Sequence, residues 1–98
     1  MLNIEQKDRL IIRLSGYLDA TNSDEAAEKV KAALEGLDRD VLIDVEELEY
    51  ISSAGLQVVL YAAKAANAIG KQSYLKGAGG NVLEIFKLSG FLTFLKLI

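Results

Sequence analysis

The sequence predicts an α/β fold with a mixed, mostly parallel β-sheet and crossover helices. Short apolar runs rich in β-branched residues alternate along the chain with segments of helical period, and glycines follow the ends of several of these segments. The resulting order is strand, strand, helix, strand, helix, strand, helix, strand. At 98 residues, of which 51% are hydrophobic and 26% charged, the chain is predicted to form one domain over residues 1–98.

Residues 2–5 and 10–14 are predicted to form the first two strands, paired antiparallel through a tight turn at residues 6–8. A helix follows, with Asn22 as the expected N-cap and Glu25 completing a capping box. An apolar stripe three or four residues apart marks its buried side: Ala27, Val30, Leu34 and Leu37. Glu25 and Lys29 are spaced for an ion pair on its solvent side.

The second half of the chain supplies the rest of the sheet. Residues 41–45 read as an interior strand and residues 53–69 as a helix that ends at Gly70. A strand at 71–76, a helix at 82–88 stopped by Gly90, and a strand at 94–98 complete the series. The pattern leaves open whether the helices cover one sheet face or both.

The residue inventory excludes several classes of function. Without cysteine or histidine, the chain has no thiol nucleophile, no zinc knuckle and no Ser–His–acid triad, so we expect no catalytic residue, cofactor or metal. A net charge of -3 without a basic cluster argues against nucleic acid or direct membrane contact. No signal peptide or spanning run is visible, so we expect a cytoplasmic protein.

Residues 49–57 join the third strand to the second helix and form the most unusual stretch. Ser52 and Ser53 lie at the predicted helix start, and an N-capping serine would account for one of them. Gly55 costs about 1 kcal/mol in a helix, which suggests that something approaches the backbone closely. A phosphoryl group on Ser53 would be stabilised by the first-turn amides while changing the surface charge. We expect Leu56 and Gln57, beside the serines, to contact a partner.

Four sequence blocks together resemble the STAS-domain family of anti-sigma factor antagonists, whose fold is SpoIIAA-like. Residues 51–56 resemble its phosphorylation-site motif, and residues 14–19, 42–45 and 88–91 resemble three further blocks in the same order. The resemblance places the phosphoacceptor at Ser53, with Ser52 as the alternative because Ser52 stands where well-known members have Asp. Members also commonly continue into a final helix, which this sequence does not show.

The resemblance also implies partners. Its members bind a cognate anti-sigma factor that is an ATP-dependent serine kinase, which releases a sigma factor, and a phosphatase reverses the modification. The implied partner surface comprises seven residues: Asp19, Asn22, Ser52, Ala54, Gly55, Leu56 and Gln57. On this reading the chain is a phosphorylation-switched binding module rather than an enzyme.

Two other interpretations remain. The same fold serves as an adaptor subunit of transporter complexes without phosphorylation, and the altered Ser52 position is compatible with that role. A small enzyme or nucleotide-binding domain would rest on the glycine-rich loop at residues 77–80, which lacks the Walker lysine and dinucleotide spacing. That loop is more typical of a flexible turn.

Overall fold

A computed structural model describes residues 2–98 and contains a five-stranded sheet with three α-helices. The strands are β1 (Leu2–Gln6), β2 (Leu10–Leu18), β3 (Val41–Ile51), β4 (Ser73–Lys76) and β5 (Lys96–Leu97). The helices are α1 (Ser23–Leu34), α2 (Ser53–Ala68) and α3 (Gly80–Ser89), and a 3₁₀ turn spans Phe91–Thr93. The sheet order is β1-β2-β3-β4-β5; the β1–β2 pair is antiparallel, and the β2–β3, β3–β4 and β4–β5 pairs are parallel. The predicted mixed, mostly parallel fold class is confirmed.

The central strands are longer than predicted. β2 continues to Leu18, and β3 continues to Ile51, so residues 49–51 are strand rather than the loop we expected. Two register shifts between β2 and β3 insert extra residues into β3. These bulges break the alternation of buried and exposed residues, so Glu46, Glu47 and Glu49 are exposed although the strand continues through them. The strand pattern was therefore not visible in the sequence.

All three helices lie on one face of the sheet, which answers the question that the sequence left open. Each connection moves one strand further in the same direction, and right-handed crossovers then place every helix on the same side. Val30 of α1, Val59 of α2 and Phe86 of α3 accordingly belong to one hydrophobic core with Ile43 and Leu75 of the sheet. The opposite face, which we call the open sheet face, carries Ile11, Arg13, Ser15, Tyr17, Leu42, Asp44, Glu47, Tyr50, Tyr74 and Lys76.

Several element ends differ from the predictions. The capping box of α1 is wrong: Asn22 occupies the N-cap position, but its side chain caps no helix amide. The expected Glu25–Lys29 ion pair is present, with Nζ and Oε1 3.7 Å apart. Of the predicted apolar stripe, Val30 is fully buried, and Ala27, Leu34 and Leu37 are partly buried and pack against the core; Ala26, which was not predicted, is buried as well.

The C-terminal elements follow the predicted order with shifted bounds. Gly70 and Gly90 both follow helices with positive φ angles of 76° and 78°, as expected for residues that end helices. β5 is shorter than the predicted strand at 94–98, because Phe94 closes the preceding 3₁₀ turn with an N–H that donates to the Phe91 carbonyl at 3.0 Å. Within residues 2–98, no helix is both long and apolar enough to span a bilayer.

Candidate functional site

The start of α2 is attached to the carboxyl ends of β2 and β3. Leu18 and Ile51, the last residues of these strands, are register partners. The Ser52 backbone N–H donates to the Leu18 carbonyl oxygen at 2.9 Å, which ties the loop to both strands. The Ser52 Oγ accepts from the Gly55 N–H at 3.2 Å, and the Ser52 carbonyl accepts from the Leu56 N–H at 2.8 Å. Ser52 is therefore the N-cap of α2.

Ser53 is the first helical residue of α2 and is exposed. Because the first backbone N–H groups of a helix have no helical carbonyl to bind, those of Ser53 and Ala54 are available to an anion. The positive end of the helix dipole lies at the same place. The structure thus puts a solvent-accessible hydroxyl where a negative group is favoured.

Gly55 is buried between the two strand ends. A Cβ atom at this position would lie 2.8 Å from the Leu18 carbonyl oxygen and 2.8 Å from the Ile51 Cγ1. The close approach that the sequence suggested is therefore made by the chain itself. Leu56 is only 8% exposed and belongs to the hydrophobic core. Direct partner contact by Gly55 and Leu56, as expected from the sequence, does not agree with this burial, because both residues face the sheet.

The loop between β2 and α1 forms a second part of the site. The Asp19 Oδ1 accepts from the Thr21 N–H at 2.9 Å and from the Thr21 Oγ1 at 2.6 Å. These two hydrogen bonds lower the pKa of Asp19 below its ordinary value of 3.8, and the bond from the Thr21 hydroxyl has the larger effect. The Asn22 side chain joins the strand to the loop, because its Nδ2 donates to the Tyr17 carbonyl at 2.8 Å and its Oδ1 accepts from the Asp19 N–H at 2.9 Å.

The pairing of Leu18 with Ile51 brings the two loops to one edge of the sheet, so Asp19 and Asn22 lie at the same edge as Ser52 and Ser53. Ala54 and Gln57 belong to this region, and Gln57 is exposed. Both line a groove of about 390 Å³ between α1 and α2.

The sequence did not single out the α1 side of this groove. Ser23, Asp24 and Lys31 line it from α1, and Tyr61 lines it from α2. The Lys31 Nζ lies 5.4 Å from the centre of the Tyr61 ring. Each helix shows its own period in the sequence, but only the side-by-side packing of α1 and α2 shows that their residues share a groove.

Among residues 2–98, no group of three or more acidic side chains is arranged to hold a metal ion. The chemistry of the site is instead that of a hydroxyl, a carboxylate and free helix amides at one exposed edge. That combination offers a place for covalent modification and for polar contact with another protein.

The sequence model of a protein family, the STAS domain, matches residues 1–98 of this chain. The chain belongs to the STAS-domain family. Among relatives of this STAS domain, BtrV of Bordetella bronchiseptica, a candidate anti-sigma factor antagonist, is 33% identical over 94% of the chain and 80% of its own length. An anti-sigma-B factor antagonist of Staphylococcus aureus is 27% identical over 91% of the chain and 85% of its own length. The predicted family resemblance is confirmed.

Solved structures agree on the fold of this STAS domain. The unphosphorylated form of the anti-sigma factor antagonist SpoIIAA matches with a TM-score of 0.78 at 19% identity, over 100% of this chain and 87% of that one. A Thermotoga maritima structure matches with a TM-score of 0.85 at 18% identity, over 98% of this chain and 84% of that one. At these identities the likeness concerns the fold.

Proposed function

We propose that this STAS domain is an anti-sigma factor antagonist whose partner binding is turned off by phosphorylation of Ser53. In its unmodified form it binds a cognate anti-sigma factor that is also a serine kinase, and a sigma factor is released. The domain itself is not an enzyme, and it acts in the cytoplasm, where the kinase has ATP. The observation that carries the proposal is the exposed Ser53 hydroxyl at the first position of α2.

The N-terminus of α2 can accommodate a phosphate on Ser53 while the domain stays folded. The amides of Ser53 and Ala54 offer hydrogen bonds, and the helix dipole favours negative charge. A phosphoserine adds about 1.5 to 2 negative charges at neutral pH. Ser53 has no buried contact to lose, because its side chain is exposed. The modification therefore changes the surface and leaves the core as it is.

Ser53 is a better acceptor than Ser52, the alternative that the sequence left open. The Ser52 Oγ accepts a hydrogen bond from the Gly55 N–H, and Ser52 is only partly accessible. Phosphorylation of Ser52 would replace an N-cap that contributes about 1 kcal/mol. Within the described residues the Ser53 hydroxyl makes no such contact. Phosphorylation of Ser53 therefore does not remove a capping hydrogen bond from α2.

We propose that the partner surface consists of Asp19, Asn22, Ala54 and Gln57 around Ser53. Ser52, Gly55 and Leu56 support this surface from below by capping and packing α2. The names of BtrV and of the Staphylococcus aureus relative describe anti-sigma factor antagonists, which favours an anti-sigma factor as the partner. SpoIIAA, which shares the fold, has been solved in a phosphorylated and an unphosphorylated form.

The switch requires a kinase and a phosphatase. In the forward step the Ser53 Oγ bonds to the γ-phosphorus of ATP, the bond to the β-phosphate oxygen breaks, and ADP leaves. The hydroxyl proton passes to a base of the kinase, since the chain has no histidine and, within residues 2–98, no base is hydrogen-bonded to the Ser53 hydroxyl. A phosphatase hydrolyses the phosphoserine and restores the hydroxyl.

Intact-protein mass spectrometry tests the proposal. The wild-type domain and the variants Ser53→Ala and Ser52→Ala are incubated with ATP and a candidate anti-sigma factor kinase of the same organism. We expect wild type and Ser52→Ala to gain one phosphate, mapped by fragmentation to Ser53, and Ser53→Ala to gain none. Phosphorylation of Ser53→Ala at Ser52 would contradict the assignment. Co-purification with a membrane permease and no phosphorylation by any such kinase would favour the transporter adaptor instead.

A further inference from the structure

Two exposed tyrosines lie side by side on the open sheet face. Tyr17 of β2 and Tyr50 of β3 are register partners, and their side chains are 58% and 42% exposed. Leu18 and Ile51, the next residues along the two strands, are buried under the helices. Because successive strand residues point to opposite faces, the tyrosines point away from the helices. They form an aromatic surface that none of the helices in residues 2–98 covers.

Exposure of this surface is unusual for a sheet of this kind. Parallel sheets are generally covered on both faces, whereas all three helices of this domain lie on one. Exposed tyrosines are also enriched among the residues that contribute most to protein–protein binding. The position therefore favours contact with another protein.

The charges beside the tyrosines indicate the chemistry of that protein. Glu47 is the register partner of Ser15, two residues before Tyr17 on β2. Glu49 is the extra residue that the second bulge inserts before Tyr50, so the alternation of faces is broken there and Glu49 is exposed together with Tyr50. Both glutamates are exposed, and within residues 2–98 neither has an ion-pair partner.

Two acidic residues nearer the start of β3 do have ion-pair partners. Asp44 is paired with Arg13, whose Nε lies 3.4 Å from Oδ2, and Glu46 is paired with Lys76 at 3.2 Å between Nζ and Oε1. Uncompensated negative charge on β3 is therefore concentrated at the end that carries the tyrosine pair. That charge complements a cationic group.

We propose that Tyr17, Tyr50, Glu47 and Glu49 form a docking surface for an arginine-bearing segment of a protein partner. A guanidinium group stacks on a tyrosine ring and binds a carboxylate through two parallel hydrogen bonds. Lysine offers a point charge without the planar fork, so arginine is the preferred side chain. This surface goes beyond the Ser53 switch, because it lies on the other face of the sheet and needs no phosphorylation.

A two-dimensional amide NMR titration tests the docking surface. The probe is an acetylated, amidated pentapeptide of alternating arginine and glycine, compared with the same peptide containing lysine. We expect the largest shifts at Tyr17 and at residues 47–50, and at least about threefold tighter binding of the arginine peptide. Shifts of equal size at two other exposed acids, Glu28 of α1 and Glu35 at its C-cap, would indicate unspecific attraction and overturn the proposal.

Matched variants complete the experiment. The double substitution Tyr17→Ala with Tyr50→Ala is expected to weaken arginine-peptide binding about fivefold. Tyr61→Ala removes a tyrosine of similar exposure, 49%, from α2 and is expected to leave binding unchanged. If the double tyrosine variant does not fold, Glu47→Gln with Glu49→Gln is expected to weaken binding as well. Unchanged binding in the folded variants refutes the surface, whereas Ser53→Ala is expected to bind like wild type, so the two proposals fail separately.

Discussion

Helices α2 and α3 follow β3 and β4, which are neighbouring strands of the sheet. Both helices have a glycine near their N-terminus, but the two glycines have different roles. In α2, Gly55 is buried against Leu18 and Ile51, and Ser52 caps the helix. In α3, the N-cap is Gly79, no side chain caps the helix, and a Cβ at Gly79 would meet nothing within 4 Å. A glycine required by packing marks a rigid helix start, whereas an uncrowded one marks a loop.

This difference favours α2 over α3 as the place of the phosphorylation switch that we propose. The start of α2 is held by a backbone hydrogen bond to β2, by a serine cap and by a buried glycine, so an added phosphate meets a fixed set of amides. The start of α3 has neither a hydroxyl nor a side-chain cap.

Gly55→Ala is expected to have the largest effect. The added Cβ would lie under 3 Å from the Leu18 backbone, which cannot move as a flexible side chain could, so we expect a loss of about 2 kcal/mol in the free energy of unfolding. The control Gly79→Ala has open space at a φ of -149° and is expected to stay within about 0.5 kcal/mol of wild type. Urea unfolding followed by circular dichroism measures both. Equal stabilities would contradict the packing role of Gly55.

Ser52→Ala is expected to have a smaller effect, since it removes one capping hydrogen bond. The free energy of unfolding should fall by about 1 kcal/mol. Ser53→Ala changes an exposed side chain at the next position and is expected to stay within about 0.5 kcal/mol of wild type. Chemical denaturation of the two variants under the same conditions gives the comparison. A larger loss in Ser53→Ala than in Ser52→Ala would reverse the roles assigned to the serines.

The smallest expected effect concerns the pKa of Asp19 in the loop before α1, where Asp19 is hydrogen-bonded to Thr21. Hydrogen bonds from Thr21 lower the pKa of Asp19, so their contribution is present above about pH 3.8 and is lost as pH falls through the lowered pKa. Thr21→Val removes the hydroxyl and should raise the Asp19 pKa toward its ordinary value. NMR titration of the carboxyl carbon measures the shift. An identical pKa in both proteins would refute the contribution of the hydroxyl.

The sequence predicted the fold class and the order of elements because apolar periodicity and terminal glycines are local signals. It did not predict that β3 continues to Ile51, since two bulges place exposed glutamates inside the strand. It predicted that Ser53 and Gly55 lie at the start of a helix, but not why a glycine is needed there, because the contacts with Leu18 and Ile51 depend on how distant parts of the chain pair. The prediction that the Asn22 side chain caps α1 was wrong for a related reason, because that side chain forms hydrogen bonds with the backbone of Tyr17 and Asp19 instead.

Leu56 shows the limit of reasoning from neighbouring residues. Its position beside the serines suggested a partner contact, whereas the helix turns its side chain into the core. In a helix, consecutive residues point about 100° apart, so proximity in sequence does not imply a shared surface. Gln57, the next residue, is the one that reaches solvent.

The proposed switch is tested most directly by isothermal titration calorimetry. The measurement compares the domain that carries phosphoserine at position 53 with the unmodified domain. Each form is titrated into the anti-sigma factor kinase identified by the phosphorylation assay, after circular dichroism has confirmed that both are folded. We expect the phosphorylated domain to keep its fold and to bind at least about tenfold more weakly, a difference of about 1.4 kcal/mol. Equal affinity of the two folded forms would contradict the role of Ser53.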